Sequence, residues 1–250
     1  MKKRITQYIE YIANRLECHL SHLREGISNI RRTETFCFSH RGRTFHFSAP
    51  AGDHIINVMK STSTFYEQDL LDAVENLKLG GTYVDVGGYI GNHSLFFSTC
   101  CSARRLVTIE PHSLGFLYLV QNVARQATIP VEFLNCAISD KPGLASMQVN
   151  NPANLGMTSM VTGSSVSVRT LDSLLTHLKD VTFIKIDVEG SELAVLKGAR
   201  SVLEHCHPVL SIESSTETEF QQVKSILEPL GYAATERYCY TPTWLWNHRS

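Results

Sequence analysis

The stretch from residue 82 to residue 94 constrains the fold of this chain more than any other. It reads Thr-Tyr-Val-Asp-Val-Gly-Gly-Tyr-Ile-Gly-Asn-His-Ser, and an apolar run begins at Leu95. β-Branched residues favour strands, whereas glycines allow a sharp turn and leave bare backbone that a ligand can approach. The pattern predicts a strand, a tight turn and a helix, which is the first unit of a nucleotide-binding α/β fold.

The glycine spacing in this turn discriminates between ligands. The motif is Asp85-x-Gly87-x-x-x-Gly91, and a dinucleotide fingerprint, Gly-x-Gly-x-x-Gly, would need a glycine where Tyr89 stands. That fingerprint places a pyrophosphate on the helix N-terminus. The observed spacing instead favours a ligand that has an amino-acid end and no phosphate, which points to S-adenosylmethionine.

Composition excludes several classes of protein. The chain has 250 residues, of which 43% are hydrophobic and 19% are charged, and its net charge of −1 gives no electrostatic case for nucleic acid as the main partner. The seven cysteines are odd in number and scattered, so they form neither a disulfide framework nor a zinc pair. We find no signal peptide and no apolar run of the roughly 20 residues that span a membrane, and expect a cytoplasmic protein.

The N-terminal part of the chain, residues 4–31, predicts a long amphipathic helix or a broken pair of helices. Apolar residues recur there at steps of three and four, at Ile5, Ile9, Ile12, Leu16, Leu20, Leu23, Ile27 and Ile30. Basic residues outnumber acidic ones in this segment, and such a helix can lie peripherally on a membrane or pair with a partner, including a second copy in a homodimer. The simpler interpretation is that the apolar stripe packs on the domain or in a dimer and the basic face is solvated.

Phenylalanines at positions 36, 38, 45 and 47 alternate around Arg41-Gly42, which predicts a β-hairpin. We therefore divide the chain into an N-terminal segment, residues 1–64, for substrate or oligomer contacts, and a main domain, residues 65–250.

From Tyr83 onwards the pattern alternates between strand and helix. It predicts strands at 83–87, 106–110, 131–138, 181–187 and 208–213, and helices at 91–100, 113–126, 190–204 and 217–229. Such alternation implies a doubly wound parallel sheet with the ligand at the carboxyl ends of its strands. The insert 140–165 is predicted to be a long loop, often a lid over a site, and residues 238–246 a terminal antiparallel hairpin.

Polar residues end the second and third predicted strands. Glu110 precedes Pro111, and its carboxylate can accept both ribose hydroxyls of a nucleoside, although an acid there can also simply cap the next helix. Asn135, Cys136 and Ala137 can border an adenine with an edge hydrogen bond and a flat apolar contact. A turn role for Asn135 is the alternative.

A second group of charged residues lies on the fourth predicted strand. Alternation puts Lys185, Asp187 and Glu189 on one side of a strand that should be buried on both faces. Buried charges are kept when they are paired, metal-bound or catalytic, so the alternative is a structural ion pair with helix-capping acids. Glu213 ends the next strand beside Asp187. These three acids could hold a divalent cation or act as a base with its partners, and the metal stays unassigned.

These features, in this order, resemble the FkbM family of S-adenosylmethionine-dependent O-methyltransferases. The resemblance covers roughly residues 65–246 and rests on the glycine turn, Glu110-Pro111, the run 135–140, Thr170-Leu-Asp172, Asn154-Leu-Gly-Met-Thr-Ser159 and above all Lys185-Ile-Asp-Val-Glu-Gly-Ser-Glu192. It implies a class I methyltransferase (Rossmann-like) sheet of seven strands with the last antiparallel. It also implies hydroxyl acceptors on sugars, of surface glycans or glycosylated natural products, and sometimes on polyketide rings.

The resemblance also assigns the cofactor pocket. Asp85, Gly87 and Gly91 would line the methionine end of S-adenosylmethionine, Glu110 would hold the ribose, and residues 135–137 would border the adenine. Gly88, Tyr89, Asn92 and Pro111 belong to the same pocket. Gly88-Tyr89 departs from the Ala-Asn that the family more often has, so Tyr89 could alter the mouth of the pocket or contact substrate.

The predicted chemistry needs little beyond alignment and a base. The sulfonium methyl group is already activated, whereas a sugar hydroxyl must lose its proton. We assign Asp187 or Glu189 as the base, with Lys185 setting its charge state or holding the acceptor. Glu213 is counted among the same catalytic residues. Rival interpretations are an NAD-dependent oxidoreductase of the Rossmann type and a non-catalytic partner subunit that binds S-adenosylmethionine.

Overall fold

The computed structural model describes residues 33–150 and 156–249. The predicted helix over residues 4–31 and the insert segment 151–155 lie outside the described residues. The strands are β1 (Thr33–His40), β2 (Arg43–Pro50), β3 (Thr82–Val86), β4 (Arg105–Ile109), β5 (Val131–Leu134), β6 (Ala137–Ile138), β7 (Gly143–Val149), β8 (Thr158–Thr162), β9 (Val166–Arg169), β10 (Val181–Ile186), β11 (Val209–Glu213), β12 (Tyr232–Tyr238) and β13 (Thr243–His248). The α-helices are α1 (His54–Thr62), α2 (Gln68–Asn76), α3 (Asn92–Thr99), α4 (Ser113–Ala124), α5 (Leu171–Leu175), α6 (Glu192–Lys197), α7 (Arg200–Cys206) and α8 (Glu217–Leu227).

Seven strands form the main sheet, in the order β12-β13-β11-β10-β3-β4-β5. The four pairs from β11 to β5 are parallel, and β13, the last strand of the sequence, runs antiparallel to both its neighbours. The predicted class I methyltransferase sheet and the terminal hairpin are thereby confirmed. The strand order reverses between β3 and β10, so the chain leaves these two strands in opposite directions and a crevice opens at their carboxyl ends.

Alternate residues of the central strands supply two hydrophobic cores, one on each face of the sheet. Tyr83 and Phe183 pack on one face, and Val84 and Ile184 pack on the other. Strands buried on both faces need such continuous apolar runs. Lys185 and Asp85 are charged exceptions, because their side chains are only 2% and 0% exposed in the middle of the sheet.

The N-terminal hairpin is confirmed, since β1 and β2 pair along their whole length around Arg41-Gly42. It shares one hydrophobic core with the main domain: Phe38 and Phe45 both pack edge-on against Phe65, with ring centroids 5.0 and 4.8 Å apart. Helix α1 lies next to it and was not indicated by the polar sequence there. Asp53 Oδ1 accepts hydrogen bonds from the first free amides of α1 and caps it.

Three boundary predictions were wrong. The insert 140–165 is not a loop throughout, because β7 and β8 lie in it and pair within a four-stranded sheet of order β6-β9-β7-β8. The predicted strand 131–138 divides into β5 and β6 because the Asn135 side chain turns to bond the carbonyl oxygens of Glu110 and Pro111. The predicted helix 190–204 breaks at Gly198, where a Cβ would lie 2.1 Å from Ser139 O, so only glycine permits this contact.

Within the described ranges, no helix is long and apolar enough to cross a membrane.

Candidate active site

A cavity of about 400 Å³ opens at the carboxyl ends of β3, β4, β10 and β11. Helix α1, the small sheet and the β12–β13 turn complete its walls. Most of the residues predicted from the sequence line this one cavity: Gly87, Gly88, Tyr89, Asn92, Glu110, Pro111, Cys136, Ala137, Lys185, Asp187, Glu189 and Glu213.

Asp85, Gly91 and Asn135 do not line the cavity. Asp85 is fully buried on β3, where its Oδ2 accepts a 2.6 Å hydrogen bond from Ser94 Oγ. Gly91 begins α3, and a Cβ there would lie 2.7 Å from the Val123 side chain on α4. Asn135 fixes the loop after β4 through its two carbonyl contacts. These three residues shape the elements that carry the site.

The glycine turn is held tightly between its neighbouring strands. The Gly87 and Gly88 amides both donate to Ile109 O on β4, at 2.9 and 3.0 Å. Gly87 has a φ of +91°, and a Cβ there would lie 1.8 Å from Asp187 O. A glycine is therefore required at position 87 by its conformation and by the approach of the β10 end.

Glu110 is a buried carboxylate with both oxygens already bonded to backbone. The Tyr89 amide donates to Oε2 at 2.8 Å and the His112 amide to Oε1 at 2.7 Å. Burial raises the pKa of Glu110 to about 7, although the two amide hydrogen bonds oppose that shift. Each carboxylate oxygen has a second lone pair, so Glu110 can still accept two hydroxyl groups from the cavity.

Lys185 and Asp187 form an ion pair in the floor of the cavity. Lys185 Nζ lies 2.8 Å from Asp187 Oδ2, and Lys185 stands opposite Asp85 in the β10–β3 register. Burial alone would neutralise Lys185, but the charges of Asp187 and Asp85 outweigh it and raise the pKa of Lys185 above its ordinary value. Burial likewise opposes ionisation of Asp187, yet the Lys185 ammonium holds the pKa of Asp187 below its ordinary value.

Glu213 and Glu189 keep their protons to a higher pH than Asp187 does. Burial and the charge of Asp187, to which it hydrogen bonds, raise the pKa of Glu213 far above its ordinary value. Glu189 lies in a left-handed turn at the mouth of the cavity, with a φ of +53°. Desolvation, then the charges of Asp187 and Glu192, raise the pKa of Glu189 to about 7.

Tyr66, Glu67 and His93 also line the cavity. Glu67 Oε2 lies 3.0 Å from His93 Nε2 at the cavity wall. Tyr66 beside it is fixed by Asn92, whose side chain bonds both the amide and the carbonyl of Tyr66 at 3.0 Å. Asn92 thus also acts through Tyr66. No sequence pattern marks Glu67, because its place beside His93 on α3 is set by tertiary packing.

One wall of the cavity is apolar. The small sheet contributes Met147 and Met160, and Met157 and the fully exposed Tyr240 lie at the rim. His54 and Ile55 of α1 also line the cavity. Thioether and aromatic groups suit the non-polar parts of a ligand, whereas the strand ends supply its polar contacts.

The described ranges contain no group of three or more His, Cys, Asp or Glu side chains placed to hold a metal ion. Asp187 and Glu213, two of the acids considered for a divalent cation, are instead joined to each other and to Lys185.

Comparison with known proteins gives one curated relative and several structural neighbours. The Hexuronic acid methyltransferase AglP of Haloferax volcanii is 28% identical over 151 residues, which are 58% of this chain and 61% of the relative, so the chain spans about three fifths of the relative's length. The structure of Methyltransferase FkbM from Methylobacillus flagellatus KT is 26% identical, with a TM-score of 0.48 over 67% of this chain and 43% of that one. The 16S rRNA N2 G1207 methyltransferase RsmC of T. thermophilus is 13% identical, with a TM-score of 0.49 over 87% and 51% of the two chains.

The model of the Methyltransferase FkbM domain matches residues 85–234, from the glycine turn through the acid-rich end of β10 to β12. That match covers more than half of the sequence, and the chain belongs to the FkbM methyltransferase family.

Proposed function

We propose that the protein transfers a methyl group from S-adenosylmethionine to a hydroxyl oxygen of a sugar or glycan. The observation that carries this proposal is the single cavity that joins Glu110 to the cluster of Lys185, Asp187, Glu189 and Glu213. The half of the cavity with Glu110 suits a nucleoside, and the half with the cluster suits deprotonation of a hydroxyl group. Family membership supports methyl transfer, and the name of the Haloferax volcanii relative supports a sugar acceptor.

The side chains of the first half fit S-adenosylmethionine. Glu110 has two lone pairs left for the two ribose hydroxyls, and Cys136 and Ala137 offer small, apolar contacts to an adenine. The volume of about 400 Å³ lies in the range of roughly 300–1,000 Å³ typical of small-molecule sites. The carboxylates on the far side would attract the positive sulfonium centre.

Bound S-adenosylmethionine would supply a methyl group that is already activated. The task of the protein is to orient the acceptor oxygen and remove its proton. Asp187 stays ionised beside Lys185 and suits acceptance of a hydrogen bond from the acceptor hydroxyl. Its lowered pKa makes it a weak base, so we assign it to orientation.

Glu189 is the proposed general base. Its pKa of about 7 suits proton removal near neutral pH better than that of Asp187 does. It lies at the mouth, where an acceptor would enter and a proton can pass to water. Residues 33–64 contribute His54 and Ile55 to the cavity, which supports a substrate-contact role for the N-terminal segment.

The test combines binding and turnover on the whole chain. Calorimetric titrations with S-adenosylhomocysteine and with NAD identify the cofactor class. Incubation with methyl-labelled S-adenosylmethionine and a panel of glycosides, followed by mass spectrometry, then detects methylated product. We expect S-adenosylhomocysteine binding and transfer to at least one sugar hydroxyl. Binding of NAD alone would indicate an oxidoreductase, and binding of S-adenosylhomocysteine without any transfer would indicate a non-catalytic subunit.

A further inference from the structure

We propose that the acceptor end of the cavity takes an uncharged sugar and rejects one that carries a carboxylate, such as a hexuronic acid. This inference rests on the proposed function and narrows its substrate class. It follows from the charges that line the cavity and from the partners to which they are already committed.

Acids dominate the described lining of the cavity. Its ionisable side chains include five carboxylates and one lysine, with no arginine among the described lining residues: Glu67, Glu110, Asp187, Glu189, Glu213 and Lys185. Even with Glu213 protonated, the three carboxylates of Glu67, Asp187 and Glu189 outnumber the positive charges of Lys185 and of the sulfonium centre that the proposed function places in this cavity. A carboxylate that entered this space would lose water and meet like charges, a combination that disfavours its binding.

The one lysine is not free to neutralise an acidic substrate. Lys185 is 2% exposed, and its ammonium is held 2.8 Å from Asp187 while Asp85 lies opposite on β3. Two carboxylates thus already balance one positive charge. A third carboxylate could reach Lys185 only by displacing Asp187, whose half-buried side chain lies between the ammonium and the cavity opening as its ion-pair partner.

The histidines that line the cavity do not supply a free positive charge in place of Lys185. His93 Nε2 faces Glu67 Oε2 at 3.0 Å, so any positive charge on this ring is already opposed. His54 is exposed to solvent at the start of α1, where water and salt screen its charge. The described lining therefore offers no uncommitted, desolvated cation of the kind that recognises a carboxylate.

The same groups suit a neutral sugar. Ionised carboxylates only accept hydrogen bonds, and neighbouring ring hydroxyls can donate to Asp187 and Glu189 together. The C–H face of a pyranose ring is apolar, and the wall of Met147 and Met160, with Met157 and Tyr240 at its rim, offers the apolar surface that such a face requires. Hydroxyl donors on one side and an apolar ring face on the other are the two features that this end of the cavity complements.

The experiment compares three acceptors that differ mainly in charge. A methyl hexopyranoside, the corresponding hexuronoside and its hexuronamide are each offered in several ring configurations with methyl-labelled S-adenosylmethionine. The amide matches the acid in size, so the ratio of kcat/KM for amide to acid reports the effect of the charge. We expect the hexoside and the amide to be methylated, and the acid at least about tenfold more slowly.

A variant locates the effect in the cavity. Glu67→Gln removes one negative charge from the lining and should lower the amide-to-acid ratio. Glu75→Gln is the matched control, since Glu75 pairs with Arg41 on the surface and should leave the ratio unchanged. Equal or faster methylation of the acid by the wild-type protein overturns the inference and leaves sugar methylation intact. Absence of transfer to every acceptor overturns the proposed function itself.

Discussion

The phenol of Tyr89 donates a 2.7 Å hydrogen bond to Asp53 Oδ2, and this bond ties the glycine turn to α1. Tyr89 also holds the turn against Glu110 through its amide, while Asp53 caps α1 through its other carboxylate oxygen. Burial raises the pKa of Tyr89 far above its ordinary value, so the phenol remains a donor at every accessible pH. Tyr89 thus joins the proposed cofactor half of the site to the N-terminal segment.

Tyr89→Phe removes only this bond and leaves Asp53 Oδ2 without its partner. We expect a loss of about 1–2 kcal/mol in the free energy of unfolding, because a buried acceptor goes unsatisfied. The affinity for S-adenosylhomocysteine should fall severalfold, since the turn loses its anchor. Urea unfolding and calorimetry measure the two effects. Tyr238→Phe, at a largely exposed phenol, is the control, and equal effects of both variants would contradict the anchoring role.

Alanine substitutions at Gly87 and Gly190 distinguish the cost of a steric clash from the cost of a left-handed backbone conformation. Both have positive φ, at +91° and +94°, but a Cβ would lie 1.8 Å from Asp187 O at Gly87 and meets nothing within 4 Å at Gly190. Gly190→Ala should cost about 1–2 kcal/mol for the left-handed conformation alone. Gly87→Ala should cost clearly more and abolish cofactor binding. Thermal unfolding and titration test this, and equal costs would show that the turn can move away from β10.

The Lys185–Asp187 pair should couple strongly, because its lysine is buried. Lys185→Met leaves Asp187 and Asp85 without their cation, and we expect a loss of roughly 3–5 kcal/mol. The double variant Lys185→Met with Asp187→Asn should lose less than the sum of the single variants. Lys224→Met is the surface control, because Lys224 and Glu228 are 40% and 50% exposed at 3.5 Å and should couple weakly. Additive effects in urea unfolding at the buried pair would contradict the interpretation.

The sheet and most of the site could be predicted because their signals are local. Period-two strands, glycines at a turn and acids at strand ends each express a short-range rule, and parallel strands bring their carboxyl ends to one edge. Glu67 could not be found this way, because its place beside His93 depends on how α2 packs against α3. The small sheet was missed because its strands are short and Pro142-Gly143 resembles a loop. Asp85 was expected to line the cavity but is buried beneath it, because its contact with Ser94 on α3 is tertiary and leaves no mark in the sequence.

The assignment of Glu189 as base predicts the pH dependence of turnover. With S-adenosylmethionine saturating, so that Glu110 is occupied, kcat/KM for the acceptor should rise with pH through an apparent pKa of about 7 as Glu189 loses its proton. Glu189→Gln should abolish this rise and nearly all turnover while the affinity for S-adenosylhomocysteine survives. Glu204→Gln, at an exposed surface pair with Arg200, is the control. An unchanged pH profile in Glu189→Gln would exclude Glu189 and return the role to Asp187.

Glu110 should make the protein less stable as the pH rises towards neutrality. Its pKa is raised from 4.5 to about 7 in the folded state, chiefly by burial. Between these values the folded protein keeps a proton that the unfolded chain has released, so the stabilisation is full below about pH 4.5 and is lost as the pH passes 7. The shift corresponds to about 3 kcal/mol.

Glu110→Gln removes this titratable group and tests whether its ionisation lowers or raises the stability of the protein. The free energy of unfolding in urea should fall between pH 5 and pH 8 by about 2–3 kcal/mol more in the wild type than in the variant. Glu189 and Glu213 titrate in both proteins, so the difference between the two profiles isolates Glu110. The variant lacks one acceptor for the Tyr89 and His112 amides and should be less stable at every pH. This constant loss does not change how the free energy of unfolding varies with pH, so it does not affect the comparison of slopes. A steeper decline in the variant would mean that the amide hydrogen bonds outweigh burial and hold Glu110 ionised in the empty site.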